Sequence, residues 1–165
     1  MIMLSYWEKS SFIHHDLIVV GGGIVGLSTA LHYQLAHPKK KVAVIERGLF
    51  PSGASSKNAG FVCFGSISEL AENARTDSQD ELLSLVEKRY KGGLELRQLL
   101  GDQHIDYRPV GGYELDFQGD LHERMFAFND WLKPLFKHPV FSDSRAKIPA
   151  FDFDQTTVKG LVKNQ

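Results

Sequence analysis

Three glycines, Gly21, Gly23 and Gly26, follow the run Asp16-Leu17-Ile18-Val19-Val20 in G-x-G-x-x-G spacing, and Glu46 closes a second apolar run 20 positions past Gly26. Each residue type has a chemical task at that spacing. Gly21 lets the main chain turn sharply out of a strand. Gly23, without a Cβ, lets a diphosphate come up against the backbone, and Gly26 lets the next helix lie close to the strand. The free amides of that helix's first turn, with the positive end of its dipole, then face the anion. A carboxylate at the tip of the second strand can accept hydrogen bonds from both hydroxyls of a ribose. Strand, glycine turn, helix, strand and acid imply a dinucleotide-binding βαβ unit.

The elements that must position these groups are legible around them. A strand is expected from about Asp16 to Val20, and its lack of polar alternation suits a parallel strand covered on both faces. A helix follows from about Ile24 to Ala36, with Leu27, Leu31 and Leu35 as an apolar stripe and Ala30 at the closest contact, ended by Pro38. The second strand is Lys41-Val42-Ala43-Val44-Ile45-Glu46. Residues 47–60 then show neither period. This long loop, rich in Gly, Ser and Asn, has a backbone able to lie close to a flat ligand and side chains able to bond phosphate.

Further along, residues 68–100 read as helix, with Gly92-Gly93 marking a possible bend. Ile105–Arg108 and Tyr113–Phe117 alternate with period two and read as antiparallel strands with one face buried. Asp120 and Glu123 suit a capping box for a helix whose buried stripe is Leu121, Met125, Phe128, Leu132 and Leu135. Val140-Phe141 and Val158 to Val162 suit short strands. The expected organisation is a leader over 1–15, whose aromatics pack on the domain's outside; the dinucleotide-binding part and helical segment over 16–100; and an antiparallel substrate domain beginning at 101 and running to 165.

Composition narrows the function classes. With 165 residues, 42% hydrophobic and 24% charged, and a net charge of −1, the chain has no basic excess for nucleic acid or an acidic membrane. Lys39-Lys40-Lys41 reads as a solvated turn. No signal peptide and no apolar stretch long enough to span a bilayer is evident, so the expectation is a cytoplasmic protein. The single cysteine, Cys63, excludes an internal disulfide and reads as a small buried hydrophobe. The seven histidines lack metal-ligand spacing, so no metal is expected. There is no G-x-S-x-G elbow and no P-loop. Tyr107, Arg108 and Tyr113 lack any pattern that would assign them a catalytic role, and the catalytic residues stay unassigned.

In three pieces the chain resembles the FAD-dependent amine and amino-acid oxidases grouped with D-amino-acid oxidase and glycine oxidase. The pieces are residues 16–30 around the glycines, Val44-Ile45-Glu46-Arg47, and Gly53-Ala54-Ser55-Ser56-Lys57-Asn58-Ala59-Gly60. The resemblance implies FAD as cofactor. On it, Ile24 and Val25 offer turn amides to the phosphates, Glu46 holds the adenosine ribose, and Arg47 lies beside the adenine. It further implies that Ala54 and Ser55 contact the diphosphate, and that Ala59, Gly60 and Phe61 line the flavin. Covalent flavin attachment in some relatives makes Cys63 a second reading. The fold class expected is α/β: a Rossmann-like FAD-binding βαβ unit followed by part of an α+β substrate domain with antiparallel strands, an incomplete fold because two parallel strands do not finish a nucleotide-binding sheet.

The implied function is that of the N-terminal part of an FAD-dependent oxidoreductase acting on a small amine or amino acid. The fragment alone is expected to be inactive. Two alternatives stand beside it: an NAD(P)-dependent dehydrogenase built on the same unit, and a catalytically incompetent fragment with at most weak nucleotide binding.

Overall fold

The computed structural model describes residues 4–165 and divides into two units, the first ending at Phe61 and the second spanning Val62–Gln165. The mixed helix-and-strand composition is as expected.

In the first unit, helix α1 (Tyr6–Phe12) precedes strand β1 (Leu17–Val20), helix α2 (Ile24–Ala36) and strand β2 (Val42–Ile45). The strands pair in parallel, Leu17 opposite Val42 and Val20 opposite Ile45. Asp16 anchors their common base: its carboxylate accepts the Lys41 N–H at 2.9 Å and the Lys40 ammonium at 2.8 Å. The lysine run is thus partly a strand anchor.

Three expectations about this unit need correction. β1 is not covered on both faces: Leu17 and Val19 are half-buried, whereas Ile18 is exposed and Val20 is 84% exposed. The leucine stripe of α2 is not a buried seam either, since Leu27, Leu31 and Leu35 are exposed and only Ala30 is buried. The reason is width. Two strands lie about 5 Å apart, and a helix with its side chains is about 10 Å across, so the pair covers only the line along which Ala30 sits. Finally, the leader's aromatics do not pack on the unit. Ser5 and Glu8 form a reciprocal capping box that starts α1 locally. At 100° per residue, Tyr6, Trp7, Phe12 and Ile13 then point in all directions, and Trp7 is 76% exposed. Residues 1–3 of the leader lie outside the described residues.

In the second unit, helices α3 (Ile67–Asn73), α4 (Gln79–Leu100) and α5 (Leu121–Trp131) pack with a three-stranded antiparallel sheet. Its strands are β3 (Gly112–Asp116), β4 (Phe141–Asp143) and β5 (Gly160–Asn164), in the order β3-β5-β4. Val162 joins the larger core with Ile67, Leu70, Leu82, Val86 and Phe141, while its neighbour Leu161 joins Leu115, Ile148 and Val158 on the opposite face. The α5 stripe is core as expected, with Leu121, Met125 and Leu132 buried and Phe128 and Leu135 packed beside them.

The corrections here are more numerous. Residues 62–100, expected with the FAD-binding part, belong to the second unit, because Phe64, Ile67, Leu70, Leu82 and Val86 build its core. The expected single helix is two. α4 runs unbroken through Gly92-Gly93, and a Cβ at Gly93 would stand 2.8 Å from a Val62 methyl, so the glycine there admits a close neighbour and makes no bend. Ile105–Arg108 forms no strand: Ile105 and Asp106 lie in a turn, Asp106 in the left-handed region (φ 48°), and the Tyr107 ring lies 4.1 Å beneath the Arg97 guanidinium.

Asp120 does not cap α5 through its side chain. Its backbone is already helical, and its carboxylate pairs with Arg124. Asp116 takes over, accepting the Leu121 N–H at 3.1 Å. Cys63 is exposed, against the expectation of burial, because its chain segment lies at the edge of the unit while the next residue, Phe64, turns inward. Among the described residues no helix is long and apolar enough to cross a membrane.

Candidate functional site

The chemistry-bearing residues of the first unit meet where β1 turns into α2. Gly21 takes φ +103°, a left-handed conformation that glycine alone adopts without strain, and its N–H closes onto the Ile45 carbonyl at 2.7 Å. Gly23, in extended conformation, is the N-cap of α2 and has no side chain to accept from the first-turn amides. Gly26 lies so near that a Cβ there would fall well inside contact distance of the Gly21 carbonyl oxygen, with Val19 at 3.2 Å on the other side.

Two side chains from further along the chain converge on this turn. Glu46, one residue past β2, accepts the Gly22 N–H at 2.8 Å through one carboxylate oxygen and the Gly48 N–H at 3.3 Å through the other. The Gly22 amide, then the Gly48 amide, hold its carboxyl below the usual glutamate range. Whatever this bond contributes is therefore complete above the ordinary glutamate pKa and is lost as pH falls through the lowered value. Ser55 sits on a short 3₁₀ turn, Ala54–Ser56, and its Oγ accepts the Ile24 N–H at 2.9 Å. A Cβ on Gly23 would touch that hydroxyl at 3.1 Å.

The loop that carries Ser55 is internally tied. Ser56 Oγ donates to the Pro51 and Gly53 carbonyls, while Asn58 donates to the Ser55 carbonyl and accepts the Gly60 N–H at 2.7 Å. Arg47, Ala54 and Ala59 are exposed, and Phe61 is 78% exposed. The structure thus brings Gly21, Gly23, Ile24, Val25, Gly26, Glu46 and Ser55 to one turn. Arg47, Ala59, Gly60 and Phe61 are not hydrogen-bonded to it among the described residues.

Sequence reasoning missed Gly22 and Asn58. Gly22 stands in a run of three glycines where the spacing rule needs only two, and that surplus was the available signal: a Cβ there would meet Glu46 Oε2 and Pro51 at 3.4 Å. Asn58 could have been found as an Asx-turn residue two positions before Gly60.

Chemically, a helix N-terminus whose own N-cap residue has no side chain, a turn open to close approach and an acid beside it fit a dinucleotide's diphosphate and ribose. No comparable set exists in the second unit. There Tyr113 accepts from Lys147 at 2.9 Å, and this hydrogen bond lowers the phenol's pKa, but Tyr107 and Arg108 lie in the irregular segment after the turn described above.

Comparison with known proteins decides the family. The sequence model described as FAD dependent oxidoreductase matches residues 16–153. The chain belongs to the FAD-dependent oxidoreductase family. The cofactor of this family is FAD. Over 98 residues the chain is 34% identical to gamma-glutamylputrescine oxidoreductase of Escherichia coli (strain K12), covering 58% of this chain and 22% of that protein. Over 48 residues it is 42% identical to glycine oxidase of Geobacillus kaustophilus (strain HTA426), covering 29% of this chain and 12% of that protein. The aligned stretch thus spans less than a quarter of either FAD-dependent relative. No solved structure matches the chain.

Proposed function

We propose that this chain supplies the FAD-binding portion of an oxidoreductase that oxidises an amine or amino acid at the carbon beside nitrogen, within a Rossmann-like domain. The observation that carries the reading is the convergence of Glu46 on the glycine turn and of Ser55 on the first amide of α2. The names of the two relatives, one for glycine and one for gamma-glutamylputrescine, support a small nitrogen-bearing substrate. When bound, FAD supplies two-electron redox chemistry.

The residues of this chain bind and orient. The amides of Val25 and Ile24, the latter exchanging its bond to Ser55, would hold the diphosphate, with Gly21, Gly23 and Gly26 clearing the approach. Glu46 turns its carboxylate to the ribose hydroxyls while keeping the Gly22 amide. Arg47 lies by the adenine, Ala54 and Ser55 face the diphosphate, and Ala59, Gly60 and Phe61 line the flavin. No side chain of this chain is assigned to the reaction itself.

Titrating the chain with FAD and following the visible flavin bands tests this directly. Saturable uptake with NAD and NADP failing to compete supports it, and competition by nicotinamide dinucleotides at equal concentration favours a dehydrogenase instead. Glu46→Gln should weaken FAD binding by about tenfold to a hundredfold, since one charge-assisted acceptor is lost. An affinity within about twofold of the original would remove Glu46 from the site. Acid denaturation of the loaded protein should release all flavin to the supernatant. Flavin retained on the precipitate would instead make the exposed Cys63 a point of covalent attachment.

A further inference from the structure

The loop after β2 is tied chiefly to itself. Ser56 Oγ donates to the Pro51 carbonyl at 2.9 Å and to the Gly53 carbonyl at 3.1 Å. The Lys57 N–H closes onto the Ala54 carbonyl at 3.1 Å, and Asn58 donates to the Ser55 carbonyl at 3.0 Å. Every residue from Arg47 to Gly60 is exposed. Among the described residues a single hydrogen bond joins residues 49–60 to the strands and helices of the first unit. It is the one in which Ser55 Oγ accepts the Ile24 N–H at 2.9 Å. The loop's large apolar side chains add no burial to it, since Leu49 and Phe50 both face solvent.

That tie is weak by type, a neutral hydrogen bond open to water. It also falls on an amide that α2 cannot satisfy from its own N-cap, because Gly23 has no side chain. A phosphate oxygen carries charge where a hydroxyl carries none, and a charge-assisted bond is about twice as strong. An anion that reaches the Ile24 amide therefore displaces Ser55, and the loop loses its tie to α2.

We propose that the Ser55–Ile24 hydrogen bond is a latch on residues 49–60 that a diphosphate opens and that a ligand without phosphate leaves shut. This rests on the reading that the first turn of α2 takes the diphosphate. It makes Ser55 a rival of that group for the Ile24 amide, and couples ligand uptake to release of the loop.

The test uses the full chain, its Ser55→Ala and Ser55→Thr variants, and two probes: ADP, which carries a diphosphate, and adenosine, which does not. Without either probe, amide exchange at Ile24 should speed by about threefold to tenfold in Ser55→Ala, the equivalent of one neutral hydrogen bond. The same variant should bind ADP about threefold to tenfold more tightly, because the competitor is gone, and adenosine no differently. Ser55→Thr, which keeps the hydroxyl, should match wild type in both measurements. In wild type, ADP should shift the amide signals of Ile24 and of residues 53–58 with one midpoint.

ADP affinity in Ser55→Ala that is equal to or below wild type overturns the latch: Ser55 is then a bystander, or a donor to the diphosphate. A wild-type chain that takes up neither ADP nor FAD overturns the diphosphate reading itself, and this proposal with it. Should Ser55→Ala fail to fold, the wild-type signals decide. Ile24 shifting on ADP while residues 53–58 stay in place sinks the latch.

Discussion

Gly26→Ala should leave a chain that takes up no measurable FAD and unfolds at markedly lower denaturant. The added methyl meets the Gly21 carbonyl, a backbone atom with no rotamer to escape into, and Val19 closes the other side. Relief requires α2 to lift from the turn, which carries the Ile24 and Val25 amides away from Gly21 and breaks the Ser55–Ile24 hydrogen bond. Overpacking of this kind costs about 1–3 kcal/mol where side chains can adjust, and a backbone clash belongs at the upper end or beyond. The substitution therefore joins a stability loss of about 3 kcal/mol to a binding loss of more than a hundredfold. Flavin titration and urea unfolding read both. Wild-type FAD affinity in Gly26→Ala would mean that the close approach of helix and turn is not what shapes the site.

The second large effect belongs to the other unit. Asp116, only 3% exposed, ends β3 and accepts three backbone amides: Gln118 at 3.1 Å and Gly119 at 2.6 Å through one oxygen, Leu121 at 3.1 Å through the other. Gly119, at φ +91°, makes the return that brings those amides round. Asp116→Ala strips every one of these partners and uncaps α5. Leaving a buried donor unpaired costs about 1–3 kcal/mol, so a loss of about 3–5 kcal/mol is expected, a large share of an ordinary domain's stability. Asp116→Asn keeps one oxygen and should lose about half as much. An Asp116→Ala midpoint equivalent to less than about 1 kcal/mol would show that solvent replaces the carboxylate.

What the sequence made legible is what is local. The glycine spacing and the two apolar runs specified β1, α2 and β2 almost to the residue, because turn geometry and strand preference are decided within a few positions. The α5 stripe was equally plain. Burial was not: whether Leu31 is covered depends on how wide a surface its helix meets, which no periodicity encodes. The α5 cap was missed because Asp116 acts from the strand before the turn, and Asp120, in the standard position, has helical backbone. Ile105–Arg108 alternates like a strand but is tied back by Asp102, whose carbonyl accepts the Tyr107 N–H at 2.9 Å.

At the site, the type of chemistry was legible and the handshake was not. Glu46 was named from its distance to the glycines, but its bond to Gly22 depends on how the turn folds. In the second unit, the bonds of the Glu114 carboxylate to the Ile67 and Ser68 amides were invisible, since those partners lie 47 and 46 residues earlier and nothing in its neighbourhood marks it.

The sheet order β3-β5-β4 bears on how the protein comes into being at the ribosome. The middle strand is Gly160–Asn164, so β3 and β4 have no partner until those residues emerge. The first unit can assemble while the second is still being made, whereas α3 to α5 must wait with their apolar stripes uncovered. Nascent chains halted before residue 160 therefore lack the strand that joins β3 to β4 and the Val162 side chain that completes the larger core.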